Sequence, residues 1–396
     1  MMNPKIRFKK SDGSDYQDWK VDNINELFGI STGKCITTAE ADADGLYDVI
    51  SGGTTPLCKT NKYNRNANTI TVARAGTAGY VMFQTNDFYL NDKCFSLIPI
   101  DENIIDSKFG FYELKNREYD IIRLKTDNVV PTINTVSLGS VKVYYPTDIE
   151  EQTKIANFLS EIDNLIASAE HEVESTKQLK KAMLQKMFPK KGEKFPEIRF
   201  PEFTDAWEQR KVTELGKIYI GLVTTMTKHY TNEGTLLIRN SDIKDGRFEF
   251  GDTPIYLENT FAQENESRMH QIGDVITVHT GDVGTSAVIT ENEAKSIGFA
   301  TIVTRPDTQI IVPNYLCTFL NTDKHKRWAV AISTGDGRTN YNLGDYYELV
   351  VPVPSIREQQ AISSFVQNLN NLITLHQRKL DAYKKFKKAM MQKMFV

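Results

Sequence analysis

The segment 51–68, SGGTTPLCKTNKYNRNAN, concentrates hydroxyl, amide, cationic and aromatic side chains between two apolar runs. Side chains of these types bond phosphate oxygens and base edges, and arginine or lysine suits guanine in the major groove. Polar loops between strands also have this composition without binding any ligand. The candidate nucleic-acid contacts in this segment are Thr54, Thr55, Lys59, Lys62, Tyr63 and Arg65.

A segment of similar composition, LVTTMTKHYTNEG, occupies 222–234 in the second half of the chain. We interpret it as the counterpart of 51–68, and the recurrence favours a functional interpretation of both. The β-like run LLIRN (236–240) follows it after one residue. The candidate contacts in this region are Thr224, Thr225, Lys228, Tyr230, Arg239 and Asn240.

A G-x-x-G turn follows a β-like run in each half, in ITVARAGTAG (70–79) and ITVHTGDVG (276–284). Glycine lets the backbone approach a ligand closely, although an ordinary hairpin turn explains these glycines nearly as well. A further polar loop, STGDGRTNYN, spans 333–342. The candidate contacts in these turns and this loop are Arg74, Thr77, Thr280, Thr285, Arg338, Asn340 and Tyr341.

Enzyme motifs are missing from the sequence. GISTGKC (29–35) has three residues between its glycines where a phosphate-binding loop needs four, and Cys35 replaces the hydroxyl residue that holds magnesium. There is no Asn-Pro-Pro-Tyr methyltransferase loop, and the six histidines form no metal-ligand pattern. We therefore expect no catalytic or metal site here. A paired-carboxylate hydrolase stays open, because acidic residues are abundant but no pair stands out.

A long repeated stretch occurs twice in the chain, once between the two halves and once after the second half. LKKAMLQKMF at 179–188 returns as FKKAMMQKMF at 386–395, and the offset of 207 residues also relates Glu151 to Glu358. Both copies predict long helices. Asp148 with Glu151, and Ser355 with Glu358, have the spacing of an N-cap residue and its N3 partner.

The apolar spacing in both copies alternates four and three residues, which predicts a coiled-coil seam. A lysine, Lys180 or Lys387, occupies the same a-type position in each copy. We predict that the two helices pack antiparallel about a pseudo-twofold axis. The seam residues include Ile155, Leu159, Ile162, Ile166, Met183, Met187, Ile362, Leu369, Ile373, Met390 and Met394.

Further apolar side chains fall at g-type positions that a two-stranded seam does not need. They either pack on the chain's own globular domains or form a docking face for another subunit. These residues are Phe158, Leu165, Leu179, Phe365, Leu372 and Phe386.

The globular segments repeat as well, since PKIRF (4–8) and Trp19 return as PEIRF (196–200) and Trp207. Short β-branched runs between Gly, Asn, Asp and Thr clusters predict mixed α/β domains, with brief helices at 314–331. The expected fold class is α+β, with two mixed α/β domains joined by two long antiparallel coiled-coil helices. The predicted segments are 1–146, 147–190, 191–353 and 354–396.

Bulk properties set limits on function. The chain has 396 residues, a net charge of −3 and a pI of about 6.1, so any nucleic-acid surface must be local. The four cysteines form no CxxC pair, no eighteen-residue apolar run occurs, and the basic start lacks the apolar stretch of a secretory signal. We expect a cytoplasmic protein without a membrane partner.

The chain resembles the specificity subunit of type I restriction–modification systems. The resemblance covers essentially the whole sequence and rests on the domain–helix–domain–helix plan, on PTDIEEQTKIANFL and VPSIREQQAISSF at the helix starts, and on the two lysine- and methionine-rich helix ends. EIRFPEFTDAWEQRKVTEL at the start of the second half adds to it.

The resemblance implies that each globular half is a target-recognition domain that reads one part of a split double-stranded DNA sequence, and that the helices set the unread gap. It also implies two methyltransferase subunits that dock on the helices and methylate adenine with S-adenosylmethionine. Motor-nuclease subunits that use ATP and Mg would add cleavage. The residues alone leave two alternatives: an adaptor that holds two protein partners without DNA, and an enzyme with its own nuclease or methyltransferase site.

Overall fold

A computed structural model of the chain describes residues 3–126, 129–190, 192–333 and 340–396. The chain folds as two compact units. Unit 1 contains Met1–Glu170 and Gln377–Val396, and unit 2 contains His171–His376. Each unit therefore combines one globular half with the start of the helix that follows it and the end of the other helix. The predicted four-segment division stays a prediction, because the compact units divide within both long helices.

Unit 1 is built on an antiparallel sheet of order β2-β8-β5-β6, with a smaller sheet of order β4-β3-β7 in which β3 and β7 are parallel, and the pair β1-β9. The strands are β1 (Lys20–Asn23), β2 (Phe28–Thr32), β3 (Tyr47–Ile50), β4 (Lys59–Thr60), β5 (Thr69–Ala73), β6 (Val81–Gln84), β7 (Tyr89–Leu90), β8 (Cys94–Pro99) and β9 (Lys142–Tyr145). The helices are α1 (Ile24–Leu27), α2 (Ser107–Asn116), α3 (Glu118–Ile122), α4 (Thr135–Gly139) and the long α5 (Ile149–Lys186).

Unit 2 repeats this arrangement with the sheet orders β11-β20-β17-β18 and β12-β16-β13-β19, the pair β10-β21 and the hairpin β14-β15. Its strands are β10 (Glu208–Lys211), β11 (Gly216–Ile220), β12 (Tyr230–Thr231), β13 (Thr235–Arg239), β14 (Ile243–Lys244), β15 (Arg247–Phe248), β16 (Tyr256–Leu257), β17 (Val275–Thr277), β18 (Ser286–Val288), β19 (Ile297–Phe299), β20 (Ile302–Pro306) and β21 (Val350–Val353). Its helices are α6 (Asn259–Glu264), α7 (Pro313–Leu320), α8 (Asp323–Ile332), α9 (Leu343–Tyr347) and the long α10 (Ile356–Met394).

Each unit is anchored by the lysine- and methionine-rich end of one long helix, which is the end of α10 in unit 1 and the end of α5 in unit 2. In unit 1 the Phe395 ring lies 6.3 Å from Trp19 and 5.7 Å from Phe109, between ring centroids. In unit 2 Phe188 lies 6.1 Å from Trp207 and 5.7 Å from Tyr315. The decapeptide is therefore repeated because each globular core buries the phenylalanine at the end of one copy. Burial of such aromatic side chains contributes strongly to core stability.

The predicted helix caps are correct in part. Ser355 Oγ accepts a hydrogen bond from the Glu358 amide at 3.3 Å, as an N-cap residue should. Glu151 and Glu358 do not reach back to the cap, so this part of the prediction was wrong. Both carboxylates are buried and bind arginine, Glu151 with Arg7 (3.0 and 2.8 Å) and Glu358 with Arg199 (2.7 and 2.8 Å).

A buried carboxylate needs a charged partner more than the helix start needs a second cap. The repeated IRF motif supplies that partner in both units, through Arg7 in unit 1 and Arg199 in unit 2.

The predicted antiparallel packing of the helices is confirmed within each unit. In unit 1, Asp163 and Glu170 of α5 form ion pairs with Lys387 and Lys384 of α10. In unit 2, Thr176 Oγ1 lies 3.4 Å from His376 Nδ1. The seam does more than join two helices, because its residues also enter the globular cores. Those in the unit 1 core are Ile155, Leu159, Ile162, Ile166, Met390 and Met394, and those in the unit 2 core are Met183, Met187 and Ile362.

The surplus apolar positions divide into two groups. Phe158 packs on Phe8, and Phe365 packs on Phe200, at 6.0 and 6.2 Å between ring centroids. The remaining four side chains are exposed over 39–50% of their surface, and they are Leu165, Leu179, Leu372 and Phe386.

Within the described ranges, no helix carries the long apolar stretch that crossing a membrane would require.

Candidate nucleic-acid interface

The glycine turn of unit 1 joins two of the predicted loops. The Gly79 amide donates to the Ala73 carbonyl, and the amide and hydroxyl of Thr77 both donate to the Gly52 carbonyl, all at 2.8 Å. Gly79 has φ +94°, and a Cβ there would lie 2.8 Å from the Ile122 backbone, so glycine is required for packing. These bonds hold the loop that carries Thr54 and Thr55 against the turn.

Several candidate side chains of unit 1 are open to a ligand. Arg74 is exposed at the turn, with its guanidinium 6.0 Å from the centre of the Phe95 ring. Tyr63 is half exposed and packs at 5.0 Å on Tyr47 between ring centroids. The other exposed candidates in unit 1 are Thr54, Thr55, Lys59, Lys62 and Thr77.

Arg65 is occupied inside unit 1. Its guanidinium donates to Ser96 Oγ (2.8 Å), to Ser31 Oγ (3.0 Å) and to the carbonyls of Asn64 (2.8 Å) and Thr32 (3.1 Å). These bonds fasten the loop to β2 and β8. They speak against a direct contact of Arg65 with bases.

The glycine turn of unit 2 brings together three of the predicted residues, Asn240, Thr280 and Asn340. Thr280 Oγ1 donates to Asn340 Oδ1 at 2.9 Å, and Asn240 Oδ1 accepts from the His279 amide at 2.8 Å. Thr280 Oγ1 also lies 2.7 Å from His279 Nδ1. Because the hydroxyl hydrogen is directed at Asn340, His279 must donate from Nδ1, and its neutral ring offers Nε2 as an acceptor.

His279 was missed in the sequence prediction. Gly79 donates to Ala73 and Gly284 donates to Val278, so an offset of 205 relates the two turns and places His279 opposite Arg74. The sequence comparison of ITVARAGTAG with ITVHTGDVG contained this signal, because it already paired the two G-x-x-G turns, but the pairing was not extended back to His279. Burial lowers the pKa of His279, so the ring is neutral at pH 7.

Three other candidates in unit 2 are engaged in the fold. Arg239 binds the Asp242 carboxylate with two bonds, at 3.0 and 2.8 Å. Thr285 is buried and donates to Asp282 at 2.8 Å, and the Tyr341 side chain is fully buried. This burial and pairing speak against base contacts by these residues. Arg338 lies outside the described residues.

The pairing of 222–234 with 51–68 was wrong. The segment 51–68 follows β3, the strand parallel to β7, whereas 222–234 precedes β13, the strand parallel to β19. The topological counterpart of 51–68 is therefore the region between β13 and β17, which begins at Asn240. Polar composition alone could not distinguish loops on either side of one strand. The candidates in 222–234 are exposed, and they are Thr224, Thr225, Lys228 and Tyr230.

The exposed groups of both turns are hydrogen-bonding and cationic side chains. Among the described residues, no three His, Cys, Asp or Glu side chains are grouped so that they could hold a metal ion. The two α/β units therefore have one topology but carry different side chains at equivalent turns.

Comparison with known proteins assigns the family. The model of the type I restriction modification DNA specificity domain matches residues 16–178 and 204–384, once in each half. The chain therefore belongs to this family, and the resemblance seen in the sequence is confirmed.

Relatives and solved structures agree with the assignment. A candidate type I specificity subunit of Mycoplasma pneumoniae is 25% identical over 250 residues, which cover 63% of this chain and 62% of that protein. The specificity subunit of the Methanocaldococcus jannaschii type I restriction enzyme MjaVIII is 22% identical over 402 residues, covering 95% and 91%. The crystal structure of a type I S subunit from M. genitalium has the same fold, with a TM-score of 0.69 at 18% identity and coverage of 100% and 99%.

Proposed function

We propose that this chain is the non-catalytic DNA-reading subunit of a type I restriction–modification complex, and that each unit reads one part of a bipartite duplex target. The equivalent turns carry the proposal, because the same backbone presents Arg74 in unit 1 and His279 in unit 2. Arginine is a donor suited to guanine, whereas neutral His279 offers an acceptor to the amino group of adenine or cytosine. Different readers on one scaffold produce an asymmetric target.

The exposed apolar side chains of the long helices support docking of methyltransferase subunits. Leu165 and Phe386 in unit 1, and Leu179 and Leu372 in unit 2, keep substantial surface open to solvent. Exposed apolar surface of this kind is typical of protein interfaces. The partners would supply the chemistry: S-adenosylmethionine on the methyltransferase subunits, and ATP with Mg on the motor-nuclease subunits. The helices would set the unread spacer.

Co-expression with a methyltransferase subunit, followed by methylome sequencing, tests the proposal. We expect a split adenine-methylated motif that appears only when this chain is present. Arg74→Ala should relax one half of the motif and His279→Ala the other, so each variant is the control for its partner. If the methylation pattern is the same with and without this chain, the DNA-reading role is wrong and a protein adaptor is favoured.

A further inference from the structure

Unit 2 contains a cleft of about 610 Å³ that the candidate DNA contacts do not line. Its walls are the end of α5, the first half of α10, the turn between β14 and β15, and the turn between α7 and α8. A concave site of this volume is in the range that encloses small molecules. The cleft is lined by six cationic side chains, which are Lys177, Lys180, Lys181, Arg247, Lys324 and Arg327.

The cations of the cleft exceed its carboxylates. Asp245 and Asp323 are the two acidic residues of the lining; Asp245 pairs with Lys180 at 3.0 Å and Asp323 with Lys181 at 3.2 Å. A third cation of the lining, Arg247, pairs with Glu249, which lies outside the lining. Lys177 has no carboxylate within ion-pair distance in the described parts of the chain. The whole chain has a net charge of −3, so this local excess does not follow from composition. Grouped cations repel one another, and a bound anion would relieve that repulsion.

The cleft also has an apolar part. Leu184 and Phe188 line it beside the lysines of α5, and Asn370 and Thr374 of α10 add amide and hydroxyl groups. Lysines bind phosphate groups as point charges, and arginine adds directed donors. We propose that the cleft binds a small molecule with a polyphosphate group, of the nucleoside triphosphate class. The phosphates would contact the lysines, and the rest of the molecule would lie against the apolar part.

Calorimetric titration of the full chain at low salt tests this site, with magnesium-free ATP and inorganic tripolyphosphate as probes. The variant Lys177→Ala/Lys181→Ala should weaken binding of ATP at least tenfold. Both side chains are exposed, and the ion pair of Lys181 with Asp323 is a surface pair of small stability, so the fold should be kept. Circular dichroism of the variant checks this.

The repeat offers a matched control, since Lys384 and Lys388 occupy the equivalent positions of α10 in unit 1. Lys384→Ala/Lys388→Ala removes the same charge and should leave ATP binding unchanged. Equal binding of tripolyphosphate would support the phosphate site and show that the nucleoside adds little. Three results would overturn the proposal: no binding of either probe at millimolar concentration, equal loss in both variants, or weaker duplex DNA binding in Lys177→Ala/Lys181→Ala without any ATP binding.

Discussion

Arginine residues that look alike in the sequence have opposite surroundings in the fold. Arg65 and Arg239 give their donors to carbonyl, hydroxyl or carboxylate groups of the fold, whereas Arg74 is exposed beside an aromatic ring. A donor that already has protein partners gains little from a base edge, because the exchange replaces one hydrogen bond with another. At the residue scale, the site is therefore defined by which polar groups the fold leaves unused.

Substitution of Arg65 should lower stability, whereas substitution of the neighbouring lysines should change recognition. Arg65→Ala removes four hydrogen bonds, so we expect the free energy of unfolding to fall by about 2–4 kcal/mol. Lys59→Ala/Lys62→Ala changes exposed side chains, so stability should stay within about 0.5 kcal/mol while one half-site of the methylation motif is weakened or relaxed. Urea unfolding of the full chain and methylome sequencing measure the two effects. A stable Arg65→Ala variant with an altered motif, or a double lysine variant with an unaltered one, would contradict this division.

The sequence was informative about residue types and poor at their surroundings. Thr280 and Asn340 were predicted separately and meet in one cluster, but Tyr341, next to Asn340, is fully buried. Neighbouring letters in a polar loop do not show which side chain faces inward, because that depends on contacts with distant segments. Tyr341 packs on His325 and Tyr346, and composition carried no trace of either contact.

At the element scale, long periodic patterns were the most reliable guide. The 4-3 spacing predicted both long helices, because periodicity over forty residues is averaged over many contacts. Their antiparallel packing was predicted from the internal repeat, which implied a pseudo-twofold axis. The two-stranded seam was incomplete, since each helix also closes a globular core. Loop correspondence failed for a related reason. Loops have no periodicity, and only strand pairing showed that 51–68 and 222–234 lie on opposite sides of equivalent strands.

The aromatic ends of the long helices should each stabilise one unit. Phe395→Ala removes a ring between Trp19 and Phe109, and we expect a loss of about 3–5 kcal/mol confined to unit 1. Phe188→Ala should cause the same loss in unit 2. Hydrogen exchange followed by mass spectrometry assigns the loss to peptides of either unit. Phe386→Ala, in the same decapeptide but half exposed, is the control and should cost clearly less. Loss of protection in the other unit, or equal effects of Phe395→Ala and Phe386→Ala, would refute the anchoring role.

At the scale of the whole molecule, the two units differ in their buried titratable groups. Burial lowers the pKa of both His270 and His325 in unit 2 to about 4, and it raises the pKa of Glu113 in unit 1 to about 7. The buried His325 ring places Nδ1 2.6 Å from the Leu320 carbonyl and Nε2 3.2 Å from the Tyr341 hydroxyl. Glu113 accepts from the Tyr144 amide at 3.0 Å and binds Arg117. The common topology therefore does not imply a common response to pH.

Acidification from pH 7 to pH 5 should destabilise unit 2 and favour unit 1. Unfolded histidine takes up a proton near pH 6.5, whereas folded His270 and His325 resist it until about pH 4, so stability is lost as the pH falls through this window. Between pH 7 and pH 5 the loss is about 2 kcal/mol per histidine, because each pH unit below the unfolded pKa costs about 1.4 kcal/mol. Folded Glu113 binds a proton more tightly than the unfolded chain does, so its contribution to stability improves as the pH falls from 7.

Hydrogen exchange at pH 7 and pH 5, corrected for intrinsic rates, should show reduced protection in unit 2 peptides. His270→Gln/His325→Gln should remove most of that pH dependence, and Glu113→Gln should remove the opposite trend in unit 1. Equal changes of both units with pH, or a double histidine variant as sensitive as the parent chain, would show that other groups dominate.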